Sequence, residues 1–405
     1  MKATGNSLQL LFFFFRYCGM VMGAALILLG TFASLVPLKL VGFLLGVPLL
    51  GFSALVVYWT LRRNEAQVSA SIVMDAWDIV ADGKHNSNTD LVYWKGAFYL
   101  VHAAAPYHLG SPDCKLVVRR SEDGHSWEQL SALQVAPDDI RDPKFAIIED
   151  RLFLYALKNI SWNPEPYTTV FTTSQDGVHW EPFQEIEPQG WLFWKPKTSD
   201  GLTYYVPAYW WEHGRSVLFS STDGIHWRQL SEIYAGDRND ETDIEFLPDG
   251  RLIATARLEF SDSILGHPQG STLIATSKPP YHAWQVQTKS RVTRLDGPSL
   301  FRYRERVYAV GRYQPVVGGP FSQMGSVFTR KRTSLFKVCE EGLVRLSDLP
   351  SAGDTAYSGA VVLGDELFVS YYTSDVRKDY VWVAGMLSPS NIRMARVSLD
   401  AVNTL

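Results

Sequence analysis

The stretch SEDGHSW at residues 121–127 decides how the rest of the sequence is interpreted, because it recurs as SQDGVHW at 174–180 and as STDGIHW at 221–227. A degenerate fourth copy, SKPPYHAW, occupies residues 277–284. The copies therefore begin at positions 121, 174, 221 and 277, at nearly even intervals along the chain. A period of roughly 50 residues indicates a repeated supersecondary unit.

Short alternating strands divided by Gly, Asp, Asn and Pro fill the chain after residue 70. LVYWKGAFYLVHAA (91–104), KFAIIEDRLFLYAL (144–157) and AVVLGDELFVSYY (360–372) each have the pattern of a hairpin. A period of about 50 residues built from about four strands predicts an all-β fold, the β-propeller. Hairpins near residues 90, 142, 200, 245, 300 and 360 predict a six-bladed β-propeller, with a five-bladed one as the alternative. The early strand at 71–80 is expected to close the last blade.

The repeated heptamer has the composition of a tight turn. In the first copy, the side chains of Ser121 and Asp123 can accept hydrogen bonds from backbone N–H groups two residues on. Gly124 supplies a positive φ without steric cost, and Trp127 can pack back against the sheet. We therefore expect the heptamer to have a structural role.

The N-terminal segment differs from the rest of the chain because only Arg16 and Lys39 interrupt the apolar run over residues 8–59. Two spans, about 17–35 and 40–60, are each long enough to cross a bilayer. They predict an N-terminal transmembrane α-helical hairpin: residues 1–63 form a membrane anchor, 64–70 a linker and 71–405 the propeller. Basic residues at the outer ends of the hairpin favour a cytoplasmic propeller. With a single crossing, the propeller would face the other side.

Composition and motifs exclude several classes of function. The net charge of −4 and the pI near 6.2 provide no basic field for nucleic acid. The three cysteines form neither a disulfide framework nor a metal-binding spacing. No phosphate-binding loop, HExxH or EF-hand loop is present, and His85, His102 and His108 lack ligand spacing. We therefore expect no cofactor and no metal.

The heptamers resemble the Asp-box, or BNR repeat, of sialidase-like propellers, whose form Ser-x-Asp-x-Gly-x-x-Trp is one residue longer. Sialidases also have a Glu followed about sixteen residues later by an Arg, and ETDIEFLPDGRLIATAR offers Glu241 and Arg257 at that spacing. A later Arg that begins a strand is matched by Arg332 in KRTSLFKV. The nucleophilic Tyr of the family, which stands in a Tyr-Ser context, is matched by Tyr357 in GDTAYSGAV.

The sequence also departs from the family pattern. The first Arg of the sialidase triad is missing from NTDLVYW, which has Asn88, Thr89 and Asp90 instead. The loop that carries the acid/base Asp in the family offers only Asp113 or His108. The chain therefore resembles uncharacterised bacterial members of the superfamily more than a standard sialidase. Together with the two apolar spans, this predicts an integral protein of a bacterial inner membrane.

The resemblance implies a membrane-anchored glycoside hydrolase that acts on a glycan or glycoside with retention of configuration. Tyr357 would be the nucleophile, since a neutral Tyr avoids repulsion by a sugar carboxylate, and Glu241 would be its base. Arg257 and Arg332 would bind the substrate carboxylate through paired hydrogen bonds.

Charged residues at the starts of the inner strands are expected to converge on one mouth of the propeller. Asp90 is a further catalytic candidate, and Arg141, Asp142, Asp296 and Asp354 are substrate-binding candidates. Acidic residues on successive blades also leave open a glycosidase with carboxylates only, similar to the five-bladed enzymes that cleave arabinose or xylose linkages. A third hypothesis is a carbohydrate-binding propeller without catalysis. The expected partners are a carbohydrate and, through the N-terminal helices, the lipid bilayer.

Overall fold

A computed structural model describes residues 14–61, 64–160, 167–319 and 321–404. The chain divides into two compact units, Met1–Glu65 and Ala66–Leu405. In the first unit, a π-helical turn, Phe14–Cys18, precedes the helices α1 (Gly19–Phe32) and α2 (Val36–Leu61). Each unit is described separately.

The two N-terminal helices differ in whether they could cross a membrane. Within α2, the segment Val36–Tyr58 is long and apolar enough to do so. Helix α1 has 14 residues, fewer than the roughly 20 that a bilayer requires. The two helices pack closely because Gly30 and Gly42 face each other: a Cβ on Gly42 would lie 2.6 Å from the Cα of Gly30. The described residues therefore contain one candidate span where the sequence predicted two.

Within its described residues, the second unit contains 24 strands and two short helices, α3 (Trp382–Met386) and α4 (Leu399–Asn403). The strands are, in chain order, β1 (Val73–Val80), β2 (His85–Trp94), β3 (Ala97–Ala105), β4 (Lys115–Ser121), β5 (Glu128–Leu133), β6 (Asp139–Ile148), β7 (Arg151–Asn159), β8 (Thr168–Ser174), β9 (Gln184–Glu185), β10 (Trp191–Phe193), β11 (Tyr204–Trp210), β12 (Arg215–Ser221), β13 (Arg228–Ala235), β14 (Asn239–Phe246), β15 (Leu252–Leu258), β16 (Ser271–Ser277), β17 (Trp284–Ser290), β18 (Asp296–Tyr303), β19 (Arg306–Tyr313), β20 (Arg332–Cys339), β21 (Gly342–Asp348), β22 (Thr355–Leu363), β23 (Glu366–Ser374) and β24 (Ser390–Ser398).

Four sheets of four antiparallel strands follow one another: β6–β9, β10–β13, β14–β17 and β18–β21. The remaining strands form one eight-stranded sheet, which we call the composite sheet. One half of it contains β22, β23, β24 and β1, and the other half contains β2–β5. A single parallel pair, His85 with Ser390, joins the halves. The early strand expected at 71–80 is β1, which pairs with β24.

The inner strands of successive sheets contact one another in a cyclic order. Strand β2 contacts β6, β7 contacts β10, β11 contacts β14, β14 contacts β18, β18 contacts β22, and β22 contacts β2. Hydrophobic clusters fill the spaces between neighbouring sheets; one of them joins Phe153 of β7 to Phe193 of β10. The prediction of an all-β propeller is confirmed. The count of six blades, or five, stays a prediction.

The three complete heptamers form the same turn. In the third copy, Gly224 N–H donates to Ser221 Oγ at 2.9 Å, and Ile225 and His226 N–H both donate to Asp223 Oδ1 at 2.8 Å. Trp227 Nε1 closes the turn by donating to Gly224 O at 3.0 Å. Although partial burial opposes the shift, the side chain of His226 and the N–H groups of His226 and Ile225 hold the pKa of Asp223 below its usual range.

Two segments show what the pattern requires. TSDGLTY at residues 198–204 makes the same turn, with Gly201 N–H donating to Thr198 Oγ1 at 2.9 Å and Leu202 N–H donating to Asp200 Oδ1 at 2.8 Å. This copy connects β10 to β11, whereas the others end the third strand of a sheet. SKPPYHAW has the expected position between β16 and β17 but lacks Asp and Gly, and Ser277 Oγ donates to Ala283 O instead.

The heptamer turns also pack against the preceding sheet. Tyr155 of β7 donates its hydroxyl to Gly224 O at 2.6 Å. Trp77 of β1 donates to Gly124 O at 3.0 Å, and a Cβ on Gly177 would lie 2.4 Å from the ring of Tyr99 on β3. The turn therefore connects neighbouring sheets as well as reversing the chain.

Replacing Gly224 by Ala should destabilise the protein more than replacing Gly250. Both glycines have a positive φ, +75° and +84°, so each substitution incurs a backbone penalty of about 1 kcal/mol. A Cβ on Gly224 would also lie 2.3 Å from Ile148 Cδ1 and 2.9 Å from Tyr155 Oη, whereas one on Gly250 would meet nothing within 4 Å. We expect the difference to be about 1–3 kcal/mol in thermal unfolding. An equal loss of stability in the two variants would show that the packing of Gly224 against Ile148 and Tyr155 does not contribute.

Candidate active site

A cavity of about 280 Å³ opens where the first strands of several sheets begin. Predicted site residues from four different strands line it: Arg141 and Asp142 on β6, Glu241 on β14, Arg257 on β15 and Tyr357 on β22. His108, one of the two residues that the acid/base loop offered, also lines it. The walls contain further residues that the sequence did not single out as site residues: Asn88, His213, Glu259, Arg294, Arg312 and Trp382.

A β-bulge occurs near the start of five inner strands, and on four of them, β2, β6, β14 and β22, it carries a cavity residue. The register shifts near the start of β2, β6, β14, β18 and β22. Asn88, Asp142, Gly297 and Tyr357 occupy these shifts with φ between +46° and +61°. Bulges redirect side chains and occur often beside active sites. A left-handed backbone at a tyrosine costs about 1–3 kcal/mol, a strain typical of functional positions.

Tyr357 and Glu241 are in direct contact. The hydroxyl of Tyr357 donates a hydrogen bond to Glu241 Oε1, and Arg257 Nη1 lies 2.9 Å from the same oxygen. The other oxygen, Oε2, accepts a hydrogen bond from Gly297 N–H at 2.6 Å. Tyr357 is 8% exposed and Glu241 is 4% exposed. Gly297 also makes room for the tyrosine, because a Cβ there would lie 2.8 Å from Tyr357 Cδ2.

Burial dominates the protonation of this pair. It raises the pKa of Glu241 to about 7, against the opposing charge of Arg257. Burial, and then the negative charge of Glu241, raise the pKa of Tyr357 well above its usual range. Glu241 is therefore a base that changes its charge near neutral pH, and Tyr357 holds its proton until a reaction draws it to Glu241.

Carboxylates engage the three most buried arginines of the site. Arg257 binds both oxygens of Asp240, with Nε 2.7 Å from Oδ1. Arg294 binds both oxygens of Asp296, at 2.7 and 3.1 Å. Arg312 lies 3.4 Å from Asp296 and donates to Thr355 O at 2.8 Å. The side chains of these arginines are 10%, 8% and 2% exposed, respectively.

The predicted first-strand motif NTDLVYW divides its residues between the cavity and the sheet contacts. Asn88 lines the cavity and donates to Asp142 Oδ1. Thr89 Oγ1 donates to Tyr357 O at 3.0 Å. Asp90 accepts Phe145 N–H at 2.7 Å and lies 2.7 Å from Lys195 Nζ. The structure thus places Asp90 in a contact between sheets and outside the cavity lining.

Asp243 shows that the Asp90 contact is a repeated structural feature. Its Oδ2 accepts Leu300 N–H at 2.7 Å, as Asp90 accepts Phe145 N–H from the next sheet. Each Asp lies two residues after a cavity residue, in the matching triplets NTD at 88–90 and ETD at 241–243. The two triplets therefore separate a cavity position from a position that binds the neighbouring sheet.

Arg332 does not reach the cavity, although β20 begins at this residue as expected. Its Nη2 lies 2.8 Å from Asp379 Oδ1, and its Nη1 donates to Lys331 O at 2.7 Å. Arg312 reaches the cavity instead, because it lies opposite Asp296 in the β18–β19 hairpin. The sequence contains a signal for it: Arg312 follows Asp296 at the same spacing at which Arg257 follows Glu241.

The last predicted residues, Asp354 and Asp296, lie behind the cavity wall. Asp354 is fully buried and accepts Trp382 Nε1–H at 2.8 Å and the Tyr372 hydroxyl at 2.9 Å. Although burial disfavours its charge, Arg294 and Arg257 hold the pKa of Asp296 below its usual range.

In the part of the chain that the structure describes, two groups have ligand atoms close enough together for one metal ion. They are His85, His108 and Asp354, and His213, Asp240 and Glu259. The carboxylates of the second group are already bound by arginines: Asp240 by Arg257, and Glu259 by Arg294 at 3.2 Å.

No protein-family model matches the chain, and no curated protein matches it. Solved structures with the same architecture do. The phage phi92 endosialidase aligns with a TM-score of 0.60 at 10% identity, over 81% of this chain and 69% of that one. The Trypanosoma rangeli sialidase in complex with sialic acid aligns with a TM-score of 0.58 at 13% identity, over 85% of this chain and 59% of that one. A Hadza microbial sialidase aligns with a TM-score of 0.54 at 14% identity, over 78% of this chain and 66% of that one.

The chain has a sialidase-like β-propeller fold. At 10–14% identity the likeness shows the fold alone, and the chain spans 59–69% of the lengths of these three proteins. The heptamers, which predicted the fold from the sequence, lie outside the cavity lining.

A carboxyl group that titrates near pH 7 should be detectable by infrared difference spectroscopy. Burial raises the pKa of Glu241 to about 7, so the protonated carboxyl band should be present below this pH and lost above it. The band should vanish in Glu241→Gln. It should persist in Glu366→Gln, which removes an acid paired with Arg396 on strands β23 and β24. A band that survives Glu241→Gln would refute the assignment.

Proposed function

We propose that this chain is a glycoside hydrolase whose reaction takes place in the cavity, with Tyr357 as nucleophile and Glu241 as its base. The hydrogen bond from the Tyr357 hydroxyl to Glu241 Oε1 carries the proposal. A nucleophile in contact with an adjacent base is the arrangement that covalent catalysis requires. The sialidase-like fold adds support, since the Trypanosoma rangeli sialidase was solved in complex with sialic acid.

The proposed reaction proceeds in two steps. The Tyr357 oxygen bonds to the anomeric carbon while the bond from that carbon to the leaving oxygen breaks. Glu241 takes the Tyr357 proton, and the leaving oxygen takes up a proton from water. A water molecule then attacks the anomeric carbon and gives one proton to the hydroxide left by the first step, while the tyrosyl oxygen leaves and takes back its proton from Glu241. The net reaction consumes one water and releases the sugar with its original anomeric configuration.

The surroundings of Glu241 suit this role. Arg257 and the backbone N–H of Gly297 fix both carboxylate oxygens, so the acceptor for the Tyr357 proton is already oriented. Because its pKa lies near 7, Glu241 is ionised over the pH range in which it must accept a proton and can return it later in the cycle.

Tyr357→Phe and Glu241→Gln should each lower kcat by about 100-fold or more, because each removes a partner in the proton transfer. The measurement uses full-length protein in detergent and a panel of aryl glycosides that includes a sialoside. The pH dependence of kcat/KM in the wild type should rise as the pH increases through about 7, since Glu241 must be ionised.

Tyr303→Phe is the matched control. It also removes a tyrosine hydroxyl bonded to a carboxylate, Asp365, at 2.5 Å, but on β18 away from the cavity lining. It should leave kcat unchanged. If the control loses as much activity as Tyr357→Phe, or if both site variants retain wild-type turnover, the nucleophile assignment fails.

A second candidate function is a glycosidase that uses carboxylates only. The engaged arginines favour it: Arg257, Arg294 and Arg312 already bind carboxylates, so a sugar carboxylate finds no unoccupied guanidinium among these three. Asp142 and Glu241 both line the cavity and would be the acid and the base. Such an enzyme would prefer uncharged sugars such as arabinose or xylose and would invert the anomeric configuration.

The anomeric configuration of the first product, observed by NMR, separates the two candidates. The tyrosine mechanism predicts retention, together with loss of turnover in Tyr357→Phe. Inversion, with faster turnover of neutral aryl glycosides than of the sialoside, would favour the carboxylate mechanism. Saturable glycan binding without turnover of any glycoside would favour the third hypothesis, a binding propeller.

We also propose six blades, in which each half of the composite sheet counts as one blade and the heptamers serve as Asp-boxes. Residues 1–63 would anchor the propeller, residues 71–405, to a bacterial inner membrane through the linker 64–70. The apolar segment Val36–Tyr58 supports the anchor. Protease accessibility of the C-terminus in oriented vesicles tests the side, which the charge rule assigns to the cytoplasm.

A further inference from the structure

Three ligand-type atoms meet beside the cavity without hydrogen bonds. They are His85 Nε2, His108 Nδ1 and Asp354 Oδ2, and each pair of these atoms lies within 4.8 Å. All three are buried, and none makes a hydrogen bond to the described part of the protein. His108 Nδ1 and His85 Nε2 lie 2.7 and 3.4 Å from Asp354 Oδ2, so the contacts of these atoms are to one another. Two imidazole nitrogens and a carboxylate oxygen that converge in one buried place have the arrangement of a metal-ligand set.

The surroundings leave these three atoms available. His85 Nδ1 lies 2.8 Å from Ser388 O, a carbonyl that can only accept, so Nδ1 carries a proton and Nε2 is the nitrogen that a metal would bind. A metal-ligating histidine usually donates its other N–H to such a group. Asp354 Oδ1 accepts from Trp382 and Tyr372, whereas Oδ2 faces the two histidine nitrogens.

The distances suit a tetrahedral ion. Bonds of about 2.0–2.1 Å from zinc to nitrogen or oxygen give ligand separations of roughly 3.3 Å. His85 Nε2 and Asp354 Oδ2 are 3.4 Å apart. His108 would move away from Asp354 by roughly 0.6 Å for such bonds. It can do so because it lies in the loop between β3 and β4 and its side chain is 19% exposed.

We propose that His85, His108 and Asp354 bind a divalent transition-metal ion, with Zn²⁺ as the reference ion. Two imidazoles and one carboxylate favour a first-row transition metal over Ca²⁺ or Mg²⁺, which prefer oxygen ligands. Three protein ligands leave a fourth position open, and His108 is at the cavity wall. That position would take a water or a sugar hydroxyl. The site is independent of the tyrosine mechanism and of any catalytic activity.

The ion would also join distant parts of the chain. His85 forms the single parallel pair with Ser390 that links the two halves of the composite sheet. Asp354 directly precedes β22, the first strand of the other half, and His108 N–H donates to Met386 O at 3.0 Å. An ion bound to all three ligands would stabilise this junction in proportion to its binding free energy.

The test uses full-length protein, purified without chelator and then stripped of metal. Zn²⁺ alone is added back, and mass spectrometry counts the metal while thermal unfolding measures stability. Co²⁺ serves as a second probe, because its visible absorption reports nitrogen and oxygen ligands. The wild type should bind one equivalent and unfold at a higher temperature with the metal. His108→Gln should raise the Kd for Zn²⁺ at least about tenfold.

Two further histidines provide controls. His102 is equally buried on β3 and lies 3.4 Å from Arg119 Nε, outside the cluster, so His102→Gln should keep the metal. His213→Gln removes a member of the other candidate group and should also keep it. Because His108 lies in a loop, His108→Gln tests the site without a substitution at the fully buried Asp354, which could prevent folding. No binding by the wild type, equal binding by His108→Gln, or loss only in His213→Gln would overturn the proposal.

Discussion

The pairing of β1 with β24 is the contact on which the arrangement of the propeller depends. These strands come from the two ends of the second unit, with Val73 opposite Val397, and hydrophobic residues such as Ile72 and Leu399 are buried beside them. The cyclic contacts among the inner strands require this closure, since β22 must reach β2 from near the opposite end of the unit. Tyr357 of β22 and Asn88 of β2, which line one cavity, come from the two sides of this junction.

Closure concentrates charge at the centre, and the protein neutralises this charge internally. Asp240, Asp296 and Glu259 are matched by Arg257 and Arg294 at hydrogen-bond distances. Burying charge is costly unless it is paired, and removing one partner of such a pair costs about 3–5 kcal/mol. The network therefore fixes the geometry around Glu241, whose own pKa is raised because burial outweighs its contact with Arg257.

The sequence predicted the fold through local rules. Ser, Asp and Gly in a heptamer form a turn through contacts between near neighbours in the chain. A repeated heptamer sequence therefore predicts a repeated turn. The same rule applies to TSDGLTY at residues 198–204, which the sequence pattern did not include because it ends in Tyr204 where the heptamers have Trp. It fails for SKPPYHAW, where the Asp and Gly that define the turn are replaced. Helix α1 is shorter than its apolar run, because apolar composition does not fix where a helix ends.

Site residues were harder to predict, because their roles depend on contacts between sheets. Glu241, Arg257 and Tyr357 were identified by spacing and do line one cavity. Arg332 begins a strand, as the matching Arg of the family does, yet it binds Asp379, while Arg312 lies beside Asp296. Asp90 has the residue type of a catalyst, but its carboxylate is used by the next sheet. Residue type and order cannot distinguish these cases, since the same carboxylate can serve either purpose.

By itself, the sequence determined the repeated turns, the all-β architecture and the apolar N-terminal segment, because each arises from interactions within a few residues. Only the tertiary structure decided which side chains share the cavity. It placed Tyr357 on Glu241, 116 positions apart in sequence, and it brought His85, His108 and Asp354 together at the closing junction. The physical reason is that bulges on separate strands aim these side chains, and the ring must close before they can meet.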